Sequence, residues 1–170
     1  MSKLAASLFA LTAGALFASS AAVQAQSSSE AVLIEALKLD ASTHERVGSS
    51  ESAIEAYAAA GLINLDADVR VDYTSYFVVK KRTEFMGHTL VLIEHEYMDE
   101  YVGCCVSPGM GVTVRVKGDT RSLEDFAAAN GCSFSDHTDP AAELKTYNVK
   151  SLLFKAHYAN LSCRERDIQQ

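Results

Sequence analysis

The chain has 170 residues, with 15 Lys and Arg against 22 Asp and Glu, which gives a net charge of -7 at pH 7. This acidic balance argues against nucleic acid as a partner, because phosphates bind to basic surfaces. It also argues against docking on anionic lipid, and the length suits one domain.

The first 25 residues have the pattern of a secretory signal peptide. Residues 1–3 are basic, residues 4–17 are apolar and uncharged, and Val23 and Ala25 stand where a signal peptidase reads small residues. An uncleaved anchor is the alternative, but the apolar core is shorter than the ~20 residues that span a bilayer. We therefore predict a signal peptide over residues 1–25 and a single domain over 26–170. The mature chain would be periplasmic or secreted and would have no membrane contact.

Two helices are predicted at the start of this domain. The stretch after the signal, "SSSEAVLIEALKLD", has apolar residues at helical spacing and serines that can cap the helix. In "SSESAIEAYAAAG", Ser52 and Glu55 have the spacing of a capping box, and Gly61 suits the helix end.

The central part of the chain predicts an antiparallel meander. "DVRVDYTSYFVVKK" alternates as a half-buried strand, with a bulge near Thr74 and Ser75. "HTLVLIEHEY" also alternates, with Val91 and Ile93 on one face and Leu90 on the other. "VTVRVKG" follows as another strand, and the short links favour antiparallel pairing.

A helix is predicted in "TRSLEDFAAANGC", ending at Asn130 and Gly131, followed by a helical turn capped by Asp139 with Pro140 at its first position. The tail suits a strand, because Leu152, Phe154, Ala156 and Tyr158 alternate, although a helical spacing also fits it. The fold class predicted is α+β: an antiparallel sheet of about four to five strands, two N-terminal helices and one helix after the meander.

The four cysteines predict structural disulfides, as is usual for an exported chain. Cys104 and Cys105 are adjacent at the end of a predicted strand, where neighbouring side chains point to opposite faces. We therefore expect them to pair separately with Cys132 and Cys163, in an order that the sequence leaves open. A redox pair would more often have the C-x-x-C spacing.

Candidate chemistry is sparse. Glu94 and Glu96 share one strand face, and we expect that face to be solvated there, with His95 partly buried on the other face. The five histidines are scattered and "HEYMD" lacks the second His of a zinc-protease motif, so no metal site and no cofactor are predicted.

These observations favour an exported, non-enzymatic binding or inhibitory module of the cell envelope or exterior, with a protein partner. Its expected binding loop lies beside the predicted disulfide anchors and consists of Val106, Ser107, Pro108, Gly109, Met110 and Gly111. One alternative is a small hydrolase or isomerase that uses His95 with Glu94 or Glu96. Another is a metal-handling protein that uses the cysteines and "EHE".

Overall fold

The computed structural model describes residues 28–98, 106–151 and 153–168. Its helices are α1 over residues 28–37, α2 (Ser50–Ala59), α3 (Arg121–Ala129) and α4 (Pro140–Thr146), with a 3₁₀ turn at Glu165–Asp167. Its strands are β1 (Val69–Val71), β2 (Thr74–Phe85), β3 (His88–Glu96), β4 (Gly109–Arg115), β5 (Ser133–Asp136) and β6 (Tyr158–Arg164).

The strands form one antiparallel sheet in the order β1-β2-β3-β4-β6-β5. The predicted α+β class is confirmed, with six strands instead of four to five. One additional strand arises because a single predicted strand is divided into β1 and β2. Asp72, with a φ of 52°, turns the chain between them, where the sequence indicated only a bulge. The other is β5, a short strand that pairs with β6.

Helices α1, α2 and α3 cover one face of the sheet. Leu33 and Leu37 of α1, Tyr57 of α2 and Leu123 of α3 are fully buried in one apolar cluster with Ile93 of β3. The helices begin and end close to where the sequence placed them. The cap of α2 is Ser49, not Ser52, because the Ser49 hydroxyl accepts the Ser52 backbone N–H at 3.3 Å.

The opposite face of the sheet is covered by α4 and the chain that follows it. Asp139 caps α4 and Pro140 opens it, as the sequence predicted. Leu144 of this helix is buried against Leu92 of β3 and Tyr158 of β6 in a second, smaller apolar cluster. Both faces of the sheet are therefore buried at β3, and all nine residues of this strand are buried.

The predicted alternation along β3 is wrong at Val91. This residue has no partner in the pairing of β3 with β2 or with β4, so it is the centre of a bulge in both ladders. A bulge adds one residue and reverses which face the following side chains occupy. Leu90 and Ile93 consequently share the helix-covered face, whereas Val91 and Leu92 share the α4 face.

The tail forms a strand, as favoured, but β6 begins only at Tyr158 and runs to Arg164. Phe154, predicted to alternate into the sheet, is instead 59 % exposed ahead of the strand. Leu152 lies outside the described residues.

The predicted disulfide pairing is wrong, because Cys132 and Cys163 are bonded to each other. The register explains this pairing. Ser133 of β5 lies opposite Ser162 of β6, so the residues just beyond them, Cys132 and Cys163, are neighbours across the two strands. Cys104 and Cys105 lie outside the described residues.

None of the helices described over residues 28–98, 106–151 and 153–168 has the length and apolar character needed to cross a bilayer.

Replacing both Cys132 and Cys163 by Ala should lower the free energy of unfolding by about 2–4 kcal/mol, because the bond closes a loop between residues 31 apart in sequence. Urea titration of the oxidised protein measures this loss. Dithiothreitol should remove a similar amount from the unsubstituted protein. A peptide map that links Cys132 to Cys104 or Cys105 would contradict the assignment.

Candidate functional site

A basic segment projects from β2 beside the bulge at Val91. Val78 pairs with Leu92 and Thr83 pairs with Leu90, so residues 79–82 lie opposite Val91 alone and bulge out of the ladder. The backbone N–H of Lys80 donates to the Leu62 carbonyl at 2.8 Å, which fixes the bulge against the chain that follows α2. The projecting sequence contains Lys80, Lys81 and Arg82, all exposed.

This segment forms one wall of an open groove of about 500 Å³. The opposite wall comes from the chain before β6, and the floor comes from β2, β3 and β6. Apolar side chains from the α4 face of the sheet and the chain before β6 line the groove, namely Val78, Val91, Leu153, Phe154 and Tyr158, whereas the side chains of Val79 and Leu90, which also border it, pack on the helix-side cluster. A groove of this volume falls within the range of small-molecule binding sites.

The groove concentrates positive charge in a chain that is acidic as a whole. Its basic lining residues are Lys80, Lys81, Arg82, Arg115 and Lys150. Asp68 is the one acidic residue among the described lining residues, and its carboxylate already accepts the Val78 backbone N–H at 2.7 Å. The electrostatic potential in the groove therefore favours an anion, although the chain as a whole has a net charge of -7.

Phe154 is held at the mouth of the groove. The Tyr158 hydroxyl donates to the Phe154 carbonyl at 2.8 Å, and the Arg115 guanidinium lies 5.1 Å from the centroid of the Phe154 ring. The mouth thus presents an exposed aromatic ring next to a cation. The sequence signal for this groove is the run of three basic residues, Lys80, Lys81 and Arg82, within a predicted strand of an acidic chain, and none of the three is among the predicted site residues.

Glu94 and Glu96, expected to be solvated, are buried, with 6 % and 4 % exposure. Both face Arg164 of β6, which is itself 7 % exposed. Arg164 Nη2 lies 2.7 Å from Glu94 Oε2, and its Nε lies 3.0 Å from Glu96 Oε2. Arg166 makes a bidentate contact with Glu96: its Nη2 donates to Oε2 at 2.7 Å and its Nη1 to Oε1 at 3.1 Å. The face stays buried because these cations neutralise its carboxylates.

Glycines of β4 make room for this ion-pair network. Glu94 lies opposite Gly111 and Glu96 opposite Gly109, and on the other side these glycines pair with Ser162 and Arg164. A Cβ at Gly111 would lie 3.3 Å from Glu94 Oε2, and one at Gly109 would lie 2.5 Å from a backbone oxygen of β6. Arg164 can therefore cross β4 to reach β3.

The expected binding loop is largely part of this structure. Gly109, Met110 and Gly111 belong to β4, and Met110 is fully buried in the helix-side core. Ser107 is buried, and its backbone N–H donates to Glu96 Oε1 at 2.8 Å. Val106 is half-buried and Pro108 is exposed. The loop thus contributes to the ion-pair network through Ser107 and to the helix-side core through Met110, and Pro108 remains exposed; its role in binding stays a prediction.

A small polar pocket of about 180 Å³ lies beside the network, lined by Glu94, Thr113, Ser135, Thr138, Pro140, Glu143 and Asn160. Burial raises the pKa of the Glu143 carboxyl, and the nearby Glu94 raises this pKa further. The Asn160 amide donates to Glu94 Oε1 at 2.8 Å and to Thr113 Oγ1 at 3.0 Å. The pocket thus holds two nearby carboxyl groups, and the environment of Glu143 favours its protonated form.

The enzyme alternative required His95 beside Glu94 or Glu96, and the structure separates them. Successive residues of β3 point to opposite faces, so His95 faces away from both glutamates. Its ring stacks on Tyr97 with centroids 4.5 Å apart, and Nε2 lies 3.8 Å from Glu51 Oε1. Because the two glutamates point away from His95, the three residues of "EHE" do not face one metal ion together. Cys132 and Cys163 are bonded to each other and do not offer free thiolates for a metal.

Comparison with protein-family models, with curated protein sequences and with solved structures finds no match for this chain.

Replacing Arg164 by Met should lower the free energy of unfolding by about 3–5 kcal/mol, because Glu94 and Glu96 would stay buried without their common partner. Urea titration at pH 7 measures the loss. Lys38→Met is the control: it removes an exposed pair with Glu35 and should cost less than about 1 kcal/mol. Equal effects of the two substitutions would contradict the network.

Replacing Glu143 by Gln should stabilise the protein at pH 8 but not at pH 4. The pKa of Glu143 is raised in the folded state, so folding stability falls as pH rises through the range between the unfolded and folded values. Gln does not titrate and escapes this loss. Thermal unfolding at both pH values tests the prediction, with the exposed Glu55→Gln as control. The same difference at both pH values would refute it.

Proposed function

We propose that the chain is an exported, non-enzymatic binding module and that its ligand is a small anionic amphiphile, a molecule with an apolar chain and a negatively charged head. The observation that carries this proposal is the groove beside the β2 bulge, which combines an apolar floor with five basic residues. Export to the cell envelope or exterior is supported by the signal-like first 25 residues and by the disulfide.

The apolar lining of the groove would supply most of the affinity. Val91, Leu153 and Phe154 offer aliphatic and aromatic surface, and Phe154 is 59 % exposed without a ligand. Each methylene that leaves water contributes ~0.8 kcal/mol, so an acyl chain gains several kcal/mol by lying in the groove. An aromatic ring at the mouth can close over such a chain with little change in the backbone.

The basic rim would select the charge of the head group. Arg115 ends β4, Lys150 follows α4, and Lys80, Lys81 and Arg82 belong to the projecting segment of β2. A carboxylate, phosphate or sulfate head would be attracted by these cations, whereas an ammonium head would be repelled. Because the rim is exposed, this attraction is screened by salt.

The protein partner expected from the sequence is an alternative occupant of the same groove. An acidic peptide segment with apolar side chains shares the chemistry of the amphiphile, but it would need an extended surface. The groove is bounded by the bulge and by Phe154 and has a volume of about 500 Å³, which suits a small ligand.

Dodecanoate below its micelle concentration should bind to the mature protein more tightly than dodecyltrimethylammonium does, as measured by isothermal titration calorimetry at low salt. Phe154→Ala should weaken dodecanoate binding by about tenfold or more, because it removes a large apolar contact. Arg115→Gln should weaken it at low salt and less at high salt.

The matched control is Leu65→Ala, since Leu65 is 65 % exposed and does not line the groove. It should leave dodecanoate affinity unchanged. Equal binding of the two detergents, or equal loss in Leu65→Ala and Phe154→Ala, would refute the proposal. Tighter binding of an acidic peptide with apolar side chains than of dodecanoate would indicate a protein partner and refute the small-ligand proposal.

A further inference from the structure

A cluster of metal-ligating side chains that do not line the groove lies where β5 ends and β6 begins. Asp136 is the last residue of β5 and pairs with Ala159, so the residue before β6, His157, lies close to it. His137 has a φ of 56°, which turns the chain immediately after the strand. The backbone N–H of Thr138 then donates to the Tyr158 carbonyl at 3.0 Å and holds this turn against β6.

The carboxylate of Asp136 contacts both imidazole rings, with one oxygen on each. Its Oδ1 is 2.5 Å from His157 Nε2, and its Oδ2 is 2.9 Å from His137 Nδ1. The two rings stack with centroids 4.2 Å apart. One nitrogen from each ring and one carboxylate oxygen lie within 4.8 Å of one another.

From this geometry we propose that Asp136, His137 and His157 bind one divalent transition-metal ion, of which Zn²⁺ is the representative. Imidazole nitrogen and carboxylate oxygen are typical ligands for Zn²⁺, Cu²⁺ and Ni²⁺. This set of ligands discriminates poorly among the three ions. The side chain of His137 is 78 % exposed, so the ion can be reached from solvent. Water completes the coordination on that side.

Ion binding requires the three ligand atoms, which now lie within 4.8 Å of one another, and the two stacked rings to move so that each ligand atom faces the ion. In a tetrahedral zinc site the metal lies about 2.0–2.2 Å from each nitrogen or oxygen, which places neighbouring ligand atoms roughly 3.3 Å apart. The pairs that are now 2.5 and 2.9 Å apart must open by less than about 1 Å. The ion takes the place of the hydrogen bonds that now join each ring to the carboxylate, and a neutral imidazole then carries its proton on its other ring nitrogen.

The site consists of these three side chains in the described part of the protein. His88 interacts electrostatically with His157, but it is buried and both of its ring nitrogens are engaged. Its Nδ1 accepts the Lys117 backbone N–H at 3.1 Å, and its Nε2 lies 3.3 Å from Ser122 Oγ. The sequence did not indicate this cluster, because residues 137 and 157 are 20 positions apart and meet only through the pairing of β5 with β6.

Calorimetric titration of zinc chloride into the mature, oxidised protein, prepared without a histidine tag and freed of metal by chelation, tests the proposal. One ion should bind per chain. His157→Ala and His137→Ala should each weaken binding by roughly tenfold or more, since each removes a ligand. His137 is exposed, so its replacement leaves the fold intact, and circular dichroism checks both variants.

His44→Ala is the matched control, because His44 is exposed and distant from the cluster. It should bind zinc as tightly as the unsubstituted protein. Cys104→Ser/Cys105→Ser should also retain zinc, which separates this site from thiol ligation. Absence of zinc binding, binding unchanged in His157→Ala and His137→Ala, or binding lost with the cysteines would each overturn the proposal.

Discussion

Arg164 connects three strands of the sheet, and much of the α4-covered face depends on this contact. It lies on β6, crosses β4 above Gly109 and Gly111, and reaches Glu94 and Glu96 on β3. Two carboxylates can stay buried only when a cation and hydrogen-bond donors compensate them. The glycines that look like loop residues in "SPGMG" are therefore needed inside a central strand, because a Cβ at Gly111 would crowd the Glu94 carboxylate and one at Gly109 would clash with the backbone of β6.

The same face of the sheet divides into a polar end and an apolar end. The ion-pair network closes the polar end, and α4 packs over the middle through Leu144. The bulge at Val91 interrupts the pairing of β2 with β3, and the basic segment of β2 projects from the ladder there, so the apolar end stays open as the groove. The proposed ligand site is thus a consequence of an interrupted ladder, since irregular pairing often occurs next to functional sites.

The sequence was sufficient for features that depend on local patterns and insufficient for those that depend on register. Helix positions, the strand character of β3 and β4, and the Asp139 cap follow from periodicity and capping chemistry. The burial of Glu94 could not be foreseen, because its partner Arg164 is 70 residues away and lies two strands across. The cysteine pairing failed for the same reason, since β5 was not predicted and its register places Cys132 beside Cys163.

The central claim is that the groove beside Val91 holds the apolar chain of an anionic ligand. Intermolecular nuclear Overhauser effects between dodecanoate and methyl-labelled protein test it most directly. The account predicts effects from the acyl chain to the methyl groups of Val91 and Leu153 and to the ring of Phe154. Effects confined to Leu65 or Val47, which are exposed apolar residues outside the groove, would contradict it.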